Sequence, residues 1–348
     1  MNIGIIGLNR GTLLYEYSKL NSEVQITAIC DLNFELMRSF PSSIYKTSNY
    51  KEEEFVKNIE AVYIATPPES HADISIYFLN KNISVLCEVP ACLDENEAER
   101  LLEAERNSSA IYMMAENYCY IPENLAIKEI IQSGKLGAIV YVEGKYIHDC
   151  KELLTQNGEL TWRGKWNIGT RLNHYPTHSF GPICQWLGIG DKKGDFIVSI
   201  KNSKSSNKSL KEYWFDNNIH EKITQADIIF SEIKTENGIT IHLRYDTKSN
   251  RPHLKNGYEI QGTKGWIQSG RYDEEAPILY LKDEERIFSL RERSEYKQEL
   301  IKLPYSYFEY GRTSINYSLF LDFIVSIQNN KSSISVEDSI LWSSPIWS

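Results

Sequence analysis

The sequence lacks the features that mark nucleic-acid binders, membrane proteins and disulfide-rich proteins. It has 38 Lys and Arg residues against 47 Asp and Glu, a net charge of −9, and no basic cluster with interleaved aromatic residues, so we expect no nucleic-acid partner. No apolar run approaches the length that spans a membrane, so we expect no membrane partner either. The six cysteines are scattered without a C-x-x-C pair, which predicts free thiols instead of disulfides or a zinc site.

The length and the start of the chain predict a cytoplasmic protein of two domains. Its 348 residues are enough for two sizeable cores. The N-terminus enters a strand directly, without the basic region and cleavage site of a signal peptide. We therefore expect a cytoplasmic location.

The first part of the chain follows the plan of a dinucleotide-binding unit. Residues 3–6 form an apolar run that ends at Gly7, a helical pattern follows Gly11, and a second strand over 24–30 ends at Asp31. In such units the helix N-terminus holds the pyrophosphate, and the acid binds the adenosine ribose hydroxyls. Because an acid at this position repels a 2′-phosphate, the pattern favours NAD over NADP.

The glycine turn departs from G-x-G-x-x-G. It is one residue shorter, and Asn9 stands where a second glycine is usual. Asn tolerates a positive φ better than most residues, so the turn can survive. The alternative is a simple strand-to-helix connection, but the flanking strands and Asp31 favour a cofactor site.

Further strands over 61–65, 83–87 and 110–114 each end in a polar turn. The carboxyl ends of parallel strands line the ligand crevice, so we expect nicotinamide contacts in these turns. They contain Thr66 to His71, Glu88 to Ala91, and Glu116-Asn117. By itself, His71 is more typical of a helix cap.

The mid-chain stretch 173–182 has an unusual density of polar and rigid residues. Pro182 can start a short helix over 183–187, which would place His178 just ahead of the helix N-terminus, where the dipole disfavours a positive charge. A neutral imidazole there could act as a general base; the alternative is a rigid turn that caps the helix. His174 and His178 have the i, i+4 spacing of metal ligands, but Pro176 breaks the helical geometry, so we predict no metal site.

The remaining pattern predicts a second, mostly antiparallel domain. We expect strands near 139–146, 196–201, 227–234, 239–245, 257–261 and 265–268, and a late helix over 317–327. We expect a substrate-covering loop at 150–172 and an exposed, mobile loop at 201–210. Tyr146 and His148 would share one face of a strand and form a polar pocket.

The fold class is therefore an α/β Rossmann domain with a parallel sheet, residues 1–118, followed by an α+β domain with a large open sheet, residues 119–348.

Several motifs resemble the Gfo/Idh/MocA oxidoreductase family. These are Ala65-Thr66-Pro67-Pro68-Glu69-Ser70-His71, Cys87-Glu88-Val89-Pro90-Ala91 and Ala115-Glu116-Asn117-Tyr118. Most members carry Glu-Lys-Pro in the second motif, and its lysine serves hydride transfer; here the position is Val89. Glu-Val-Pro-Ala resembles a narrower branch, the NAD-dependent glycoside hydrolases typified by bacterial α-N-acetylgalactosaminidases. Six further motifs resemble the same branch: Glu143 to Asp149, Thr161-Trp162-Arg163, Tyr175-Pro176-Thr177-His178, Tyr245-Asp246-Thr247, Arg251-Pro252 and Gln261 to Gly265.

The residue pattern and the resemblance together give two sets of candidate site residues. The cofactor set for NAD is Gly7, Asn9, Arg10, Asp31, Thr66, Pro68, Glu69, His71, Glu88, Val89, Asn117 and Tyr175. The set for a small-molecule carbohydrate substrate is Tyr146, Arg163, Tyr175, Pro176, Thr177, His178 and His253. The resemblance also implies a homo-oligomer, a dimer or tetramer, associated through the open sheet.

The departures from the branch cluster on the sugar side. His253 stands where a substrate-contacting tyrosine is usual, and His174 stands where an apolar residue is usual. Residues 311–314 read Gly-Arg-Thr-Ser where a Gly-His-Gly-Gly-like stretch is expected. They leave the identity of the sugar open more than that of the cofactor.

The sequence offers no convincing pair of carboxylates for ordinary glycoside hydrolysis. The resemblance implies another route: oxidation at C3 of the sugar, loss of the C2 proton, elimination of the C1 substituent, water addition and re-reduction, with NAD recycled. Tyr175 and His178 are the expected proton-transfer residues, with His253 a second candidate. The alternatives are a sugar or cyclitol dehydrogenase with net hydride transfer, and a non-catalytic NAD-binding regulatory protein.

Overall fold

The computed structural model describes residues 1–169, 173–190, 194–293, 295 and 313–348. Their contacts divide the chain into two units. Residues 1–117 and 313–343 form the first, and the described residues between 118 and 295 form the second with 344–348. Within these ranges no helix is long and apolar enough to cross a membrane.

The first unit contains a parallel sheet with the strand order of a dinucleotide-binding domain. The strands are β1 (Asn2–Ile6), β2 (Gln25–Cys30), β3 (Tyr45–Thr47), β4 (Ala61–Ile64), β5 (Ser84–Cys87) and β6 (Tyr112–Met114). Five helices connect them: α1 (Leu8–Ser18), α2 (Phe34–Met37), α3 (Glu53–Val56), α4 (His71–Leu79) and α5 (Glu95–Arg106). The order is β3-β2-β1-β4-β5-β6, and every neighbouring pair is parallel.

The central strands are apolar along their whole length because both faces of the sheet are covered. Ile3, Ile5, Val62 and Leu86 have no exposed surface. The strand order reverses direction between β1 and β4, and the crevice beyond their carboxyl ends is the usual ligand position in such sheets. The Rossmann prediction is confirmed.

The second unit is built on one large sheet. Its helices are α6 (Pro122–Gln132), α7 (Trp162–Ile168), α8 (Thr177–Leu187) and α9 (Lys208–Asp216). Its strands are β7 (Ile139–Ile147), β8 (Thr155–Gln156), β9 (Glu159–Leu160), β10 (Ile197–Lys204), β11 (Ile228–Thr235), β12 (Thr240–Asp246), β13 (Leu254–Gly262), β14 (Gly265–Gln268), β15 (Ile278–Leu281) and β16 (Arg286–Ser289). The eight-stranded order is β10-β11-β12-β7-β13-β14-β15-β16. Only β7 and β12 pair in parallel, so the mostly antiparallel sheet is confirmed.

Helix α8 packs closely on β7 because the strand has a glycine at the contact. A Cβ on Gly144 would lie 3.0 Å from side-chain carbons of both Ser179 and Ile183. Alternation along β7 then directs Tyr146 to the helix-covered face and Lys145 to the opposite, open face.

Two predicted loops contain regular structure. The stretch 201–210 was expected to be mobile, but it holds the end of β10 and the start of α9. This segment is polar on average because α9 is amphipathic. Only one face of the helix is buried, with Leu210 and Trp214 packed against Leu154. The stretch 150–172 likewise contains β8, β9 and α7, and Thr161 caps α7 by accepting a hydrogen bond from the amide of Gly164 at 3.1 Å.

The C-terminal helices belong to the first unit. Helix α10 (Thr313–Gln328) confirms the predicted late helix, and α11 (Val336–Ser343) follows it. The side-chain amide of Asn117 donates to Asn316 Oδ1 at 2.8 Å, and the backbone amide of Ala91 donates to Ser343 Oγ at 3.2 Å. Residues 313–343 therefore follow the second domain in the chain but pack in space against the Rossmann sheet. The Gly-Arg-Thr-Ser stretch at 311–314 differs from the family pattern, and its residues 311 and 312 lie outside the described residues.

Candidate active site

The glycine turn of the first unit is shaped by Gly7 and Gly11. Gly7 has a φ of +88°, and a Cβ there would lie 2.5 Å from the carbonyl oxygen of Ala65, so only glycine fits. A Cβ on Gly11 would lie 2.4 Å from Ile5, which explains the close packing of α1 on β1. Asn9 lies inside α1 and has no positive φ, so the expected conformational role of this asparagine is wrong. The turn is short because α1 begins at Leu8, directly after Gly7.

Asp31 and Asn117 lie at strand ends of this crevice. One carboxylate oxygen of Asp31 accepts from the amide of Leu8 at 2.7 Å, which ties the end of β2 to the N-terminus of α1. The other accepts from the amide of Asn33 at 2.7 Å. Asn117 Oδ1 is buried and has no hydrogen-bond partner among the described residues, so it offers an acceptor for an amide donor. The glycine turn, Asp31 and Asn117 thus fit an NAD molecule in chemistry.

Arg10 and Glu88 contact each other. Arg10 Nε lies 3.0 Å from Glu88 Oε1, and the Tyr63 hydroxyl donates to the same oxygen at 2.5 Å. Burial acts to raise the pKa of Glu88, but Arg10 and Tyr63 outweigh it and hold that pKa below its usual value. Tyr63, hidden in the apolar run of β4, was not identified from the sequence. The three side chains fix the ends of β4 and β5 relative to α1.

His71 ties together two of the predicted turns. Its ring nitrogens lie 2.8 Å from the carbonyl oxygen of Pro90 and 2.9 Å from that of Thr66. Burial lowers the pKa of His71, but Cys87 and the two carbonyl groups raise it to about 9. This contact set gives His71 a positioning role between the turns. The remaining predicted cofactor residues of these turns are Pro68 and Val89, both buried, and Glu69, which is exposed.

In the second unit, three tyrosines surround His178. We call Tyr118, Tyr146, Tyr175 and His178 the ring cluster. The His178 ring stacks on Tyr118 with centroids 4.2 Å apart, and its centroid lies 5.2 Å from that of Tyr146 and 5.9 Å from that of Tyr175. The predicted residues Tyr146, Tyr175 and His178 are thus brought together. Tyr118 was missed as a sugar-side residue because it directly follows the Asn117 motif of the cofactor set.

The backbone at His178 is set by Pro182. Helix α8 begins at Thr177, not at Pro182, so His178 lies in its first turn and the expected helix start is wrong. Pro182 has no N–H to donate to the carbonyl of His178 four residues earlier. The Tyr258 hydroxyl donates to that carbonyl instead, at 3.0 Å. A side chain from β13 therefore replaces the missing helical hydrogen bond and anchors the turn that carries His178.

Arg163 adds a positive charge to the ring cluster. Its Nη1 donates to Tyr175 Oη at 3.3 Å, and its guanidinium lies 4.5 Å from the Trp162 ring. Although burial opposes the charged form, Tyr175 raises the pKa of Arg163. A guanidinium in this position stabilises the negative charge that the phenol oxygen carries after losing its proton. The α7 segment thus positions Arg163 against Tyr175.

His253 reaches the ring cluster through His148. Tyr146 Oη and His148 Nδ1 are 3.2 Å apart, as expected for residues on one face of the strand. The His148 and His253 rings meet edge to face with centroids 4.7 Å apart. The four side chains His178, Tyr146, His148 and His253 therefore form a continuous series of polar rings.

His174 is a packing residue in this structure. It is fully buried, stacks on Trp166 with centroids 4.3 Å apart, and meets Tyr245 at 6.1 Å. In the part of the chain that the structure describes, no group of three or more His, Cys, Asp or Glu side chains could hold a metal ion. Thr177 is also fully buried, and within the described residues its hydroxyl has no hydrogen-bond partner. Pro176 directly precedes α8.

Lys248 lies beneath the ring cluster and has no counterpart in the sequence-based predictions. Its side chain is buried, and its Nζ has no hydrogen-bond partner among the described residues. The Nζ lies 4.8 Å from the centroid of Tyr245, a ring that stacks at 6.2 Å on Tyr146. Burial lowers the pKa of Lys248 to about 8, against the opposing effects of Cys150, Asp246 and Asp227. Burial also raises the pKa of Tyr245.

Solved structures of similar fold include a levoglucosan dehydrogenase and a myo-inositol 2-dehydrogenase. A levoglucosan dehydrogenase in complex with NADH has a TM-score of 0.76 at 20% identity, over 99% of this chain and 95% of that one. The myo-inositol 2-dehydrogenase from Lactobacillus plantarum has a TM-score of 0.73 at 18% identity, over 99% and 94%. At these identities the likeness is one of fold.

Sequence comparison identifies the family. The NAD-binding Rossmann model of the oxidoreductase family matches residues 1–116, and the C-terminal domain model of glycosyl hydrolase 109 matches residues 120–346. Glycosyl hydrolase family 109 protein 2 of Phocaeicola vulgatus is 30% identical over 292 residues, which cover 77% of this chain and 70% of that protein. The α-N-acetylgalactosaminidase of Bacteroides fragilis is 28% identical over 291 residues, 77% and 68% of the two chains. The chain therefore belongs to the glycosyl hydrolase 109 family, and its cofactor is NAD.

Proposed function

We propose that this enzyme cleaves a glycosidic bond by transient oxidation at C3 of the sugar, elimination, water addition and re-reduction. The observation that carries the proposal is the ring cluster, in which Tyr175, His178 and Tyr146 converge and Arg163 contacts Tyr175. For the sugar we propose N-acetylgalactosamine or a related residue, because one relative is named an α-N-acetylgalactosaminidase.

NAD, when bound, supplies the oxidation of the C3 alcohol and the later reduction of the ketone. The glycine turn at Gly7 would hold its pyrophosphate at the N-terminus of α1, and Asp31 would bind the adenosine ribose. Asn117 would accept a hydrogen bond through its buried Oδ1. The contacts of Arg10, Glu88 and His71 with protein groups support a positioning role for these residues in the same site.

Proton transfer requires a base whose charged form is stabilised. In this proposal Tyr175 is the phenolate, stabilised by Arg163, that takes the proton from the C3 hydroxyl and becomes the neutral phenol. It returns this proton to the C3 oxygen when the ketone is reduced. Arg163 also binds sugar hydroxyls. His178 removes the proton at C2, and its ring is held in place by stacking on Tyr118.

The second group of candidate residues is Tyr146 with His148 and His253. Tyr146 hydrogen-bonds the sugar, and His148 orients its hydroxyl, which lies 3.2 Å from His148 Nδ1. His253, in edge-to-face contact with His148, is the second candidate for proton transfer: as an imidazolium it gives its proton to the oxygen that leaves C1, and it takes a proton back from the water that is added later. His253 thus takes the place of the family's tyrosine in a histidine pair, and this is where we place the difference in substrate.

The test is a screen of p-nitrophenyl α- and β-glycosides with NAD added. We expect p-nitrophenol release without net NADH, and losses of about a hundredfold or more in Tyr175→Phe and His178→Ala. Tyr272→Phe and His220→Ala are matched controls outside the ring cluster. Sustained stoichiometric NADH from a sugar alcohol would establish the dehydrogenase alternative instead. NAD binding without turnover of any glycoside or sugar alcohol would favour the regulatory one.

We further propose a cytoplasmic homo-oligomer, either a dimer or a tetramer. The six cysteines are all free, which is typical of a reducing compartment. The open face of the sheet carries partly exposed aromatic and apolar side chains, including Trp266, Tyr280 and Ile287. Light scattering of the purified protein tests the assembly, and a monomer at micromolar concentration would refute it.

A further inference from the structure

A second recess lies on the open face of the eight-stranded sheet, opposite the ring cluster. Alternation puts Lys145 beside Tyr146 on β7 and Arg244 beside Tyr245 on β12, so the two strands serve both faces. The recess has a volume of about 460 Å³ and is walled by the segment around Gly270. A volume of this size is ordinary for a small-molecule site.

The lining contains more cationic than acidic side chains. Four cationic side chains face the recess against one carboxylate: Lys145, Arg244, Arg251 and Arg271 against Glu275. Three of the cations have acidic partners, with Lys145 2.9 Å from Glu143, Arg244 2.7 Å from Asp246, and Arg271 2.7 Å from Glu275.

Arg251 differs from the other three cations. Within the described ranges it forms no ion pair, and its guanidinium donates to the carbonyl oxygen of Arg271 at 3.3 Å. The Nε–H of Arg244 is buried and has no acceptor in the same ranges. A free guanidinium beside other cations is the arrangement that binds phosphate or sulfate oxygens in bidentate fashion.

The wall of the recess is a built feature. A Cβ on Gly270 would lie 2.4 Å from Cβ of Glu275, so the segment folds tightly only with glycine there. Asp273 joins this segment to β13: its carboxylate accepts from the amide of Lys255 at 2.7 Å, and its amide donates to the carbonyl of His253 at 2.8 Å. These contacts hold the wall in place next to Arg251, which lines the same recess.

We propose that this recess binds a small anion that carries a phosphate or sulfate group, through Arg251 with Lys145 and Arg244 in support. The site is distinct from the sugar site, because it uses the opposite face of β7 and β12. It does not depend on the chemistry of the ring cluster.

The test is calorimetric titration of the NAD-saturated protein with inorganic phosphate, sulfate and phenyl phosphate at constant ionic strength. Saturating NAD occupies the other phosphate-binding position, at the N-terminus of α1. We expect one saturable site per chain and affinity about tenfold weaker in Arg251→Gln. Arg286→Gln, an exposed arginine on β16 outside the recess, should leave the affinity unchanged. Tighter binding of phenyl phosphate than of inorganic phosphate identifies an ester as the ligand, and the reverse identifies the free ion.

Three outcomes would overturn the proposal. The first is the absence of saturable binding by all three anions, and the second is equal affinity in the wild type and Arg251→Gln. The third is a change in oligomer mass in Arg251→Gln with phosphate affinity intact, which would mean that an acidic group of a second copy fills the recess. Arg251 is exposed and outside the described ion pairs, so the variant should fold, and circular dichroism checks this.

Discussion

Lys248→Met should stabilise this protein at neutral pH. The amine is buried without a hydrogen-bond partner among the described residues, and its pKa is lowered from 10.5 to about 8. One pKa unit corresponds to about 1.4 kcal/mol, so keeping the amine charged in the folded state costs about 3 kcal/mol. Methionine fills a similar volume without a charge and should recover most of that free energy.

The stability difference between Lys248→Met and the wild type should shrink as pH rises. At pH 7 both folded and unfolded states hold the proton, so the full penalty is present. As pH rises through 8, the folded state releases the proton before the unfolded state does, and the penalty falls. The wild type should therefore gain about 2 kcal/mol relative to the variant between pH 7 and pH 9.5.

The assay is urea unfolding of both proteins at pH 7, 8.5 and 9.5, with Lys211→Met on the exposed face of α9 as the control. The control should change the free energy of unfolding by less than about 0.5 kcal/mol at each pH. A Lys248→Met variant that is less stable than the wild type at pH 7, or whose advantage is the same at every pH, would refute the reasoning. Either result would mean that the charged amine of Lys248 has hydrogen-bond partners in solution.

Three further predictions concern the Rossmann crevice of the first unit and the ring cluster of the second. Asp31→Ala should weaken NAD binding by about ten- to a hundredfold in calorimetry and reduce the preference for NAD over NADP; unchanged affinity for both cofactors would exclude the ribose role. Tyr258→Phe removes the donor to the His178 carbonyl and should lower the free energy of unfolding by about 1–3 kcal/mol, whereas Tyr280→Phe should not. Glu88→Gln should destabilise the protein at pH 7, with the deficit shrinking as pH falls below about 4.5 and through the lowered pKa of Glu88, because the wild type then loses its charged contact with Arg10; a deficit that persists in acid argues against the ion pair.

The sequence predicted the elements whose signal is local. The apolar strands of the Rossmann sheet, the glycine turn at Gly7 and the acid at Asp31 follow from spacing and residue type, because parallel strands and their turns have narrow requirements. Average polarity predicts a mobile loop at 201–210, and this prediction is wrong. One buried stripe of apolar residues is enough to hold an amphipathic helix such as α9.

Contacts between distant segments could not be read from the sequence. Tyr258 is 80 residues from the carbonyl to which it donates, and it supplies the hydrogen bond that Pro182 cannot make. The same holds for Arg10 with Glu88 and Tyr63, and for His148 with His253. Each pair is made by strands and turns that only folding brings together.

The sequence by itself determined the NAD-binding fold, the family and most of the side chains of the ring cluster, since these are carried by short motifs. Only the tertiary structure decided what those side chains do to one another. It placed His178 among three tyrosines, set Arg163 against Tyr175 and buried Lys248 beneath them. The reason is physical: charge stabilisation, burial and proton transfer depend on distances across the fold, which sequence spacing does not fix.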